Sequence, residues 1–191
     1  MDRRDAKRNM IHAAAISEFT KHGLAGTSMA SIAAAAGMSR PALYQYFRDK
    51  SHIFASAFVA VFEERVEGAL AALTTPGSTL EQLDNFLQRY EGDLWEALAA
   101  SPHAEELLSA KSAELSAAIA EVVVQLPQGL ARYLDERVPG SVTASERQGW
   151  IEILRLAPQG LKSDQPSVEA FRRRLHTLAC GVASDIDNAR R

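Results

Sequence analysis

The chain has 191 residues, of which 47% are hydrophobic and 24% are charged. This balance excludes disordered and collagen-like chains and is typical of a globular protein that builds its core without disulfides or a structural metal. The formal net charge of −3 argues against nucleic-acid binding only while it is treated as one number, because residues 1–52 carry +4 and the remaining residues carry −7. The asymmetry indicates a basic module carried on an acidic body.

The single cysteine, Cys180, cannot form an intramolecular disulfide, which favours a reducing compartment. No apolar run approaches the roughly 20 residues that cross a bilayer, and the N-terminus has no apolar signal core behind its charges. We therefore expect a cytoplasmic protein without a membrane partner.

Apolar residues recur at helical spacing almost throughout, and no stretch alternates as a strand does. The first helix has an apolar face that includes Ile11 and Phe19, and Gly23 is expected to end it. A short second helix begins at Ser28, whose hydroxyl can cap backbone N–H groups, and ends at Gly37, which enters a left-handed turn without steric cost.

A third short helix follows, with Ser39 as its N-cap and Pro41 in its first turn, where no backbone N–H is needed. Leu43 and Phe47 lie on one face of this helix and are expected to anchor it. Asp49 then caps a much longer helix with a broad apolar band. Arg3 and Arg4, ahead of the first helix, have two interpretations: a disordered end or a short arm for a minor groove.

The rest of the chain predicts further helices separated by loops at 74–79 and 138–143. We expect a bend at Pro127, a helix end at Pro158 and a last helix from about Ser167. The prediction is an all-α protein of about nine helices. Residues 1–52 form a three-helix module, and residues 53–191 form a larger helical body.

Two short helices joined by a glycine-containing turn have the dimensions of a helix-turn-helix, whose second helix fits the major groove of DNA. The chemistry of the helix that follows Ser39 agrees with this geometry, since arginine pairs with a guanine edge, glutamine pairs with adenine, and alanine or proline packs on a thymine methyl. Tyrosine hydroxyls and Lys50 suit phosphate oxygens. The residues expected to be exposed on this helix are Arg40, Ala42, Tyr44, Gln45 and Tyr46.

Residues 27–54 taken together are a more specific signal than two short helices with a glycine between them. They resemble the DNA-binding domain of the TetR family of bacterial transcriptional repressors. The resemblance covers about the first quarter of the chain. It rests on Ile11, Ala14, Ala15, Phe19 and Gly23, on Ser28-Met29-Ala30-Ser31-Ile32-Ala33, on Ala36-Gly37-Met38-Ser39, and on Leu43-Tyr44-Gln45-Tyr46-Phe47-Arg48-Asp49-Lys50.

The resemblance implies a helix-turn-helix DNA-binding domain over residues 1–52 and a helical ligand-binding and dimerisation domain over residues 53–191. It also implies a dimer that binds a palindromic double-stranded operator and is released when a small-molecule inducer shifts the fourth helix. Where the family often has a basic or polar residue early in the second helix, this chain has Ala30, followed by Ala34 and Ala35, so base reading is expected from the third helix. The implied DNA-binding residues are Arg40, Pro41, Ala42, Gln45 and Tyr46 toward the groove, Ser28, Tyr44 and Lys50 at phosphates, and the helix cap Ser39.

The two C-terminal helices carry apolar stripes, and the last also has alanines that allow close approach of a partner helix. Such stripes face either a second subunit or the chain's own core, and the resemblance favours a four-helix interface between two subunits. The expected interface residues are Trp150, Leu154, Ala157, Phe171, Leu175, Leu178, Ala179, Val182, Ala183 and Ile186.

The regulatory body contains aromatic residues that either fill the core or line a cavity for an apolar or amphipathic inducer. No metal-ligand spacing, nucleophile motif, P-loop or dinucleotide fingerprint occurs, so we expect neither a metal, a cofactor nor an enzyme. The alternatives are a regulator that acts through a protein partner or as an activator and, more remotely, a helical-bundle enzyme. The candidate ligand-binding residues are Phe58, Phe62, Phe86, Tyr90, Trp95, Tyr133 and Trp150.

Overall fold

The computed structural model describes residues 3–110, 112–138, 140 and 142–190. Within these residues every regular element is helical, which confirms the predicted all-α class. The elements are α1 (Arg3–Gly26), α2 (Met29–Ala35), α3 (Arg40–Tyr44), α4 (Lys50–Ala72), α5 (Thr79–Leu87), a π-helix (Gln88–Gly92), α6 (Asp93–Ala99), α7 (Ala104–Ser109), α8 (Ala113–Val123), α9 (Gln125–Arg137), α10 (Ala144–Leu161) and α11 (Val168–Ala189).

These elements agree with the predicted number of about nine helices once two interruptions are recognised. The α5 helix, the π-helix and α6 form one continuous run, and Val124 alone separates α8 from α9. The predicted bend therefore lies three residues before Pro127, which occupies the first turn of α9, where a missing N–H removes no helical hydrogen bond. Parts of the predicted loop at 138–143, Pro139 and Ser141, lie outside the described residues.

Two other expectations about helix ends are wrong. The α10 helix does not end at Pro158 but continues to Leu161 with the proline ring buried, since a proline removes one backbone hydrogen bond and a long helix can retain its other bonds. The α1 helix already includes Arg3 and Arg4, so these residues are helical and not a disordered end.

Serine and glycine set the boundaries of the first short helices. Ser28 and Ser31 form a reciprocal capping box on α2, and Ser39 Oγ accepts a hydrogen bond from the backbone N–H of Ala42 at the start of α3. Gly37 has a φ of 63°, the left-handed conformation predicted for the turn between these helices. The predicted caps and turn are therefore confirmed.

The chain forms two compact units whose division differs from the predicted boundary at residue 52. The first unit contains residues 1–63 together with residues 98–120, and the second contains residues 64–97 and 121–191. The core of the first unit joins α1 to α4 with two later leucines. Its buried apolar residues include Ile11, Phe19, Ile32, Leu43, Phe47, Ile53, Leu107 and Leu115.

The second unit is built around α11, which packs against α5 and the π-helix, while α10 packs against α9 and α11. The apolar stripe of α11 is buried, with Phe171 and Leu175 fully inaccessible. A capping box between Ser78 and Glu81 starts α5, and another between Thr143 and Glu146 starts α10. Local caps therefore set where α5 and α10 begin, and the buried stripe of α11 packs the helices of this unit together.

Candidate nucleic-acid interface

The α3 helix presents polar side chains from a rigid base. Leu43 is fully buried beneath it and Phe47 is 1% exposed. The Phe47 ring contacts the imidazoles of His12 and His52, with centroids 5.5 and 5.3 Å away. The base of α3 is therefore held from α1 and α4 together, and the remaining side chains of α3 are free to face a ligand.

The exposed face of α3 has the composition that a major groove requires. Arg40, Pro41, Tyr44 and Gln45 are exposed, while Ala42 is half-buried. A guanidinium N–H of Arg40 donates to the Tyr44 hydroxyl at 3.3 Å, and the guanidinium lies 5.6 Å from the centre of that ring. This contact restricts the long arginine side chain, so less of its conformational entropy remains to be lost on binding any ligand.

Tyr46 differs from the other candidate groove residues. It is half-buried and packs against the core of the first unit. Its aromatic body contributes to the support of the helix, and only part of the side chain is accessible to DNA. The α2 helix has only small side chains facing outward at Ala30, Ala34 and Ala35, which are exposed.

The two serine caps retain a donor for phosphate. Ser28 Oγ accepts from the Ser31 backbone N–H at 3.0 Å, and Ser39 Oγ accepts from the Ala42 N–H at 3.3 Å. Because a hydroxyl is both acceptor and donor, each serine can still donate its hydrogen to a phosphate oxygen. Both residues are exposed at the ends of short helices, where backbone N–H groups also favour an anion.

Lys50, expected at a phosphate, binds backbone carbonyls of its own chain in this structure, and its phosphate role stays a prediction. Its ammonium donates to the backbone carbonyls of Leu24 at 2.7 Å, Thr27 at 3.0 Å and Ala25 at 3.3 Å. An ammonium has three N–H donors, and these three acceptors use all of them. Lys50 therefore caps the C-terminal end of α1 and stabilises the α1–α2 turn.

A groove of about 960 Å³ runs along α1, α4 and the start of α8 within the first unit. Inside it Ser56 Oγ lies 2.9 Å from His12 Nε2 and accepts from Arg8 at 3.3 Å, which leaves the serine hydrogen for the imidazole. Burial, and secondarily the charge of Arg8, lowers the pKa of His12. The lowered pKa favours the neutral imidazole, and the contact with Ser56 links α1 to α4.

A second cavity, of about 380 Å³, lies in the second unit between the last turn of α4 and α9. Leu70 and Leu73 form its apolar side, and Arg132, Tyr133 and Arg137 contribute polar groups. The Tyr133 hydroxyl and the Arg137 guanidinium both donate to Gln82 Oε1, at 3.1 and 2.9 Å. Burial raises the pKa of Tyr133, although the nearby Arg137 opposes that shift.

Comparison with known proteins finds a family model that matches this part of the chain. Residues 11–57 match the family model described as bacterial regulatory proteins, tetR family. No curated protein matches the chain significantly. Over these residues the chain is similar to TetR-family regulators.

Solved structures extend the similarity of fold beyond the matched residues. A TetR/AcrR-family regulator from Thermobifida fusca is 20% identical, with 93% of this chain and 97% of that chain covered and a TM-score of 0.69. The fatty acid degradation regulator FadR from Bacillus halodurans is 22% identical, with 92% and 95% covered and a TM-score of 0.60. FadR from Bacillus subtilis, solved in complex with stearoyl-CoA, is 18% identical, with 95% and 98% covered and a TM-score of 0.62.

The TetR-family resemblance predicted a dimer stripe on α11, and the structure directs most of that stripe inward. Leu154 on α10 and the central residues of α11 are buried within the chain, so they offer no area to a second subunit. Spacing alone could not distinguish a stripe that packs on α5 from one that packs on a partner. The buried members are Leu154, Phe171, Leu175, Ala179, Val182, Ala183 and Ile186, whereas Trp150, Ala157 and Leu178 are half-buried.

The predicted ligand-binding aromatics are distributed over both units. Phe58 and Phe62 belong to the first unit, and the others belong to the second. Of the seven, only Tyr133 lines either of the two cavities described above. Of the other six, Phe86 is a core residue at 1% exposed, and the rest are half-buried. Trp95 packs on Phe171 with centroids 5.4 Å apart, and the Arg65 guanidinium lies 4.7 Å from the Tyr90 ring centre.

Sequence reasoning missed the contribution of residues 98–120 to the DNA-binding unit. Glu106, 81 residues away along the chain, accepts a hydrogen bond from the backbone N–H of Ala25 at 2.8 Å. Nothing in the local pattern around Glu106 marks this contact, because Glu105 and Glu106 read as an acidic helix face. Within the described residues no group of histidine, cysteine and carboxylate side chains could hold a metal, and no helix is long and apolar enough to cross a membrane.

Proposed function

We propose that the protein is a ligand-responsive transcriptional repressor that binds a palindromic operator as a homodimer and is released by a small-molecule inducer. The observation that carries the DNA-binding part is α3 itself: a short capped helix fixed by buried Leu43 and Phe47, with Arg40 and Gln45 exposed. The basic charge of residues 1–52 supports attraction to a duplex, and the acidic remainder limits stray association away from α3. Such a regulator acts in the cytoplasm and needs no catalytic group.

Dimerisation is the second part of the proposal, and an outward stripe on α10 supports it. Ile153 and Leu156 are 46% and 59% exposed, and Gly149 and Gly160 extend the stripe at spacings of four, three and four residues. A Cβ added at either glycine meets nothing within 4 Å. A second copy of α10 can approach closely along this stripe, as in an isologous twofold interface.

The neighbouring face of α11 supports the same interface. Its exposed residues Thr177, Gly181 and Ser184 are small and allow a partner helix to pack closely. The proposed dimer face is therefore the solvent side of α10 and α11, with Trp150, Ala157 and Leu178 at its edges. A twofold dimer matches a twofold operator, whose half-sites lie about 34–36 Å apart or further.

The inducer is proposed to be apolar or amphipathic. Leu70 and Leu73 offer an apolar wall in the cavity of the second unit, while Arg132 and Arg137 offer charge-assisted donors, a combination that suits an amphipathic molecule. The stearoyl-CoA bound by FadR of Bacillus subtilis is a molecule of this kind. Because the cavity touches the last turn of α4, occupancy can act on that helix directly.

Selection from a random duplex pool tests the DNA-binding proposal. Purified protein should enrich one palindromic sequence and should bind it with an affinity that falls steeply with salt. Enrichment of no sequence would contradict the proposal. A palindrome bound by one subunit only would contradict its dimeric part.

Native mass spectrometry of the purified protein tests the inducer. The expected result is a bound small molecule that weakens operator binding, with a coupling of about 1–3 kcal/mol. A molecule that binds equally well to free and operator-bound protein would refute release by an inducer. Dependence of operator binding on a second protein would favour the alternative of a partner-controlled regulator or activator.

A further inference from the structure

The segment 98–120 is part of the core of the DNA-binding unit. Leu107 and Leu115 are 5% and 4% exposed and lie in the same apolar cluster as Ile11, Phe19 and Leu43. The segment is covalently continuous with the second unit at both ends, at residues 97–98 and 120–121. It is therefore the one stretch of this core that enters from the regulatory body and returns to it.

Two polar contacts join this segment to the end of α1. Glu106 Oε1 accepts the Ala25 N–H at 2.8 Å, and the Ser101 hydroxyl donates to the Thr20 carbonyl at 3.0 Å. His103 Nδ1 lies 3.4 Å from the other carboxylate oxygen of Glu106. His103 therefore holds the Glu106 carboxylate from one side, while the carboxylate accepts a hydrogen bond from the end of α1.

Gly23 makes room for this contact. Its φ of 71° interrupts the regular helix, and a Cβ at this position would overlap Glu106 Oε2 and lie 2.9 Å from His103 Nδ1. Because of this kink, a backbone N–H group in the last turn of α1 is available to a side chain, as the Ala25 contact with Glu106 shows. The glycine therefore serves both the helix break and the approach of the carboxylate.

Ala25 is held from two directions as a result. Its N–H is bound by Glu106, and its carbonyl accepts from Lys50 at the start of α4. Ala25 lies two residues before Thr27, whose hydroxyl donates back to the Gly23 carbonyl at 2.7 Å. These bonds determine how the chain leaves α1 and enters α2.

We propose that Glu106 is a positioning residue for the helix-turn-helix, because its hydrogen bond to the Ala25 N–H fixes the α1–α2 turn. Breaking this bond is a second way, besides movement of α4, in which the regulatory body changes DNA affinity. The inference rests on the proposed function, since it assigns the regulation of that same interface. When the carboxylate leaves Ala25, the α1–α2 turn loses a side-chain acceptor that comes from outside residues 1–63. The orientation of α2 and α3 then becomes less restricted, and operator binding weakens.

Hydrogen exchange of the Ala25 amide, followed by NMR on the full-length protein without DNA, tests the role of the Glu106–Ala25 hydrogen bond. In Glu106→Ala we expect this amide to exchange about tenfold faster, because a charge-assisted hydrogen bond is lost. Glu106→Gln keeps an acceptor oxygen and should restore most of the protection. Glu105→Ala removes the same charge from the adjacent exposed position and should leave Ala25 unchanged.

A role in general stability predicts a different pattern. If Glu106 contributed only to general stability, Glu106→Ala would speed hydrogen exchange at the core amides of Ile11 and Ala15 as much as at Ala25. That result would overturn the proposal, as would unchanged exchange at Ala25. With the palindrome selected from the random pool, Glu106→Ala should bind several-fold more weakly and Glu106→Gln nearly as well as the natural sequence. If no palindrome is selected the proposed function fails, whereas the exchange result still decides whether Glu106 holds Ala25.

Discussion

Replacing Leu156 with alanine should weaken the dimer without unfolding the subunit. Complete burial of a leucine side chain contributes about 1.5–3 kcal/mol, and Leu156 keeps 59% of its surface exposed in the single chain. Burial of that fraction against a partner is therefore worth about 1–2 kcal/mol. Because a twofold interface contains the residue twice, the total is about 2–4 kcal/mol, and Leu156→Ala should raise the dimer dissociation constant by about 30- to 900-fold.

Sedimentation equilibrium over a range of protein concentrations measures this constant, and Leu154 supplies the matched control. Leu154 lies two residues away on α10 and is 2% exposed. Leu154→Ala should lower the free energy of unfolding by about 2–5 kcal/mol and leave association almost unchanged. The reverse pattern, with weakened association in Leu154→Ala and none in Leu156→Ala, would refute the assignment of the outward stripe to the dimer.

Three further predictions concern the DNA-binding unit. Gln45→Ala should cost about 1–3 kcal/mol at particular base pairs, measured by fluorescence anisotropy on duplexes changed one position at a time, and an equal loss on all duplexes would exclude base reading. Lys50→Met should lower the free energy of unfolding by about 1–3 kcal/mol, because three carbonyls lose their donor, and should leave the salt slope unchanged; a slope reduced by about 1 would restore the phosphate role. Because the pKa of His12 is lowered in the folded protein, the unfolded chain binds a proton more readily at this position. The melting temperature should therefore fall as pH drops below about 6.5, and it should fall less in His12→Gln. An equal dependence on pH in both proteins would contradict this prediction.

Helix positions and caps could be predicted because their signals are local. Ser28, Ser39 and Gly37 act within one turn of their own positions, so the pattern of hydroxyls and glycine suffices. The exposed face of α3 was predictable for the same reason, since buried Leu43 and Phe47 define its opposite side.

Contacts between distant residues could not be predicted in this way. The role of Lys50 depends on the backbone path of residues 24–27, and the role of Glu106 depends on a segment 81 residues away. The α11 stripe shows the same limit, because periodicity identifies an apolar face without identifying its neighbour. The proposed dimer face rests instead on the exposed apolar side chains Ile153 and Leu156 of α10, which only the structure shows to point to solvent.

Base-by-base operator affinities of Arg40→Ala and Arg48→Ala test the central claim most directly. Both changes remove one exposed guanidinium, but Arg40 lies in the first turn of α3, and Arg48 lies beyond it and pairs with Asp49 at 3.4 Å. Arg40→Ala should lose about 1–3 kcal/mol at one base pair of each half-site and relax specificity there, while Arg48→Ala should change all duplexes alike. Identical, sequence-independent losses for both proteins would contradict the claim that α3 reads the operator.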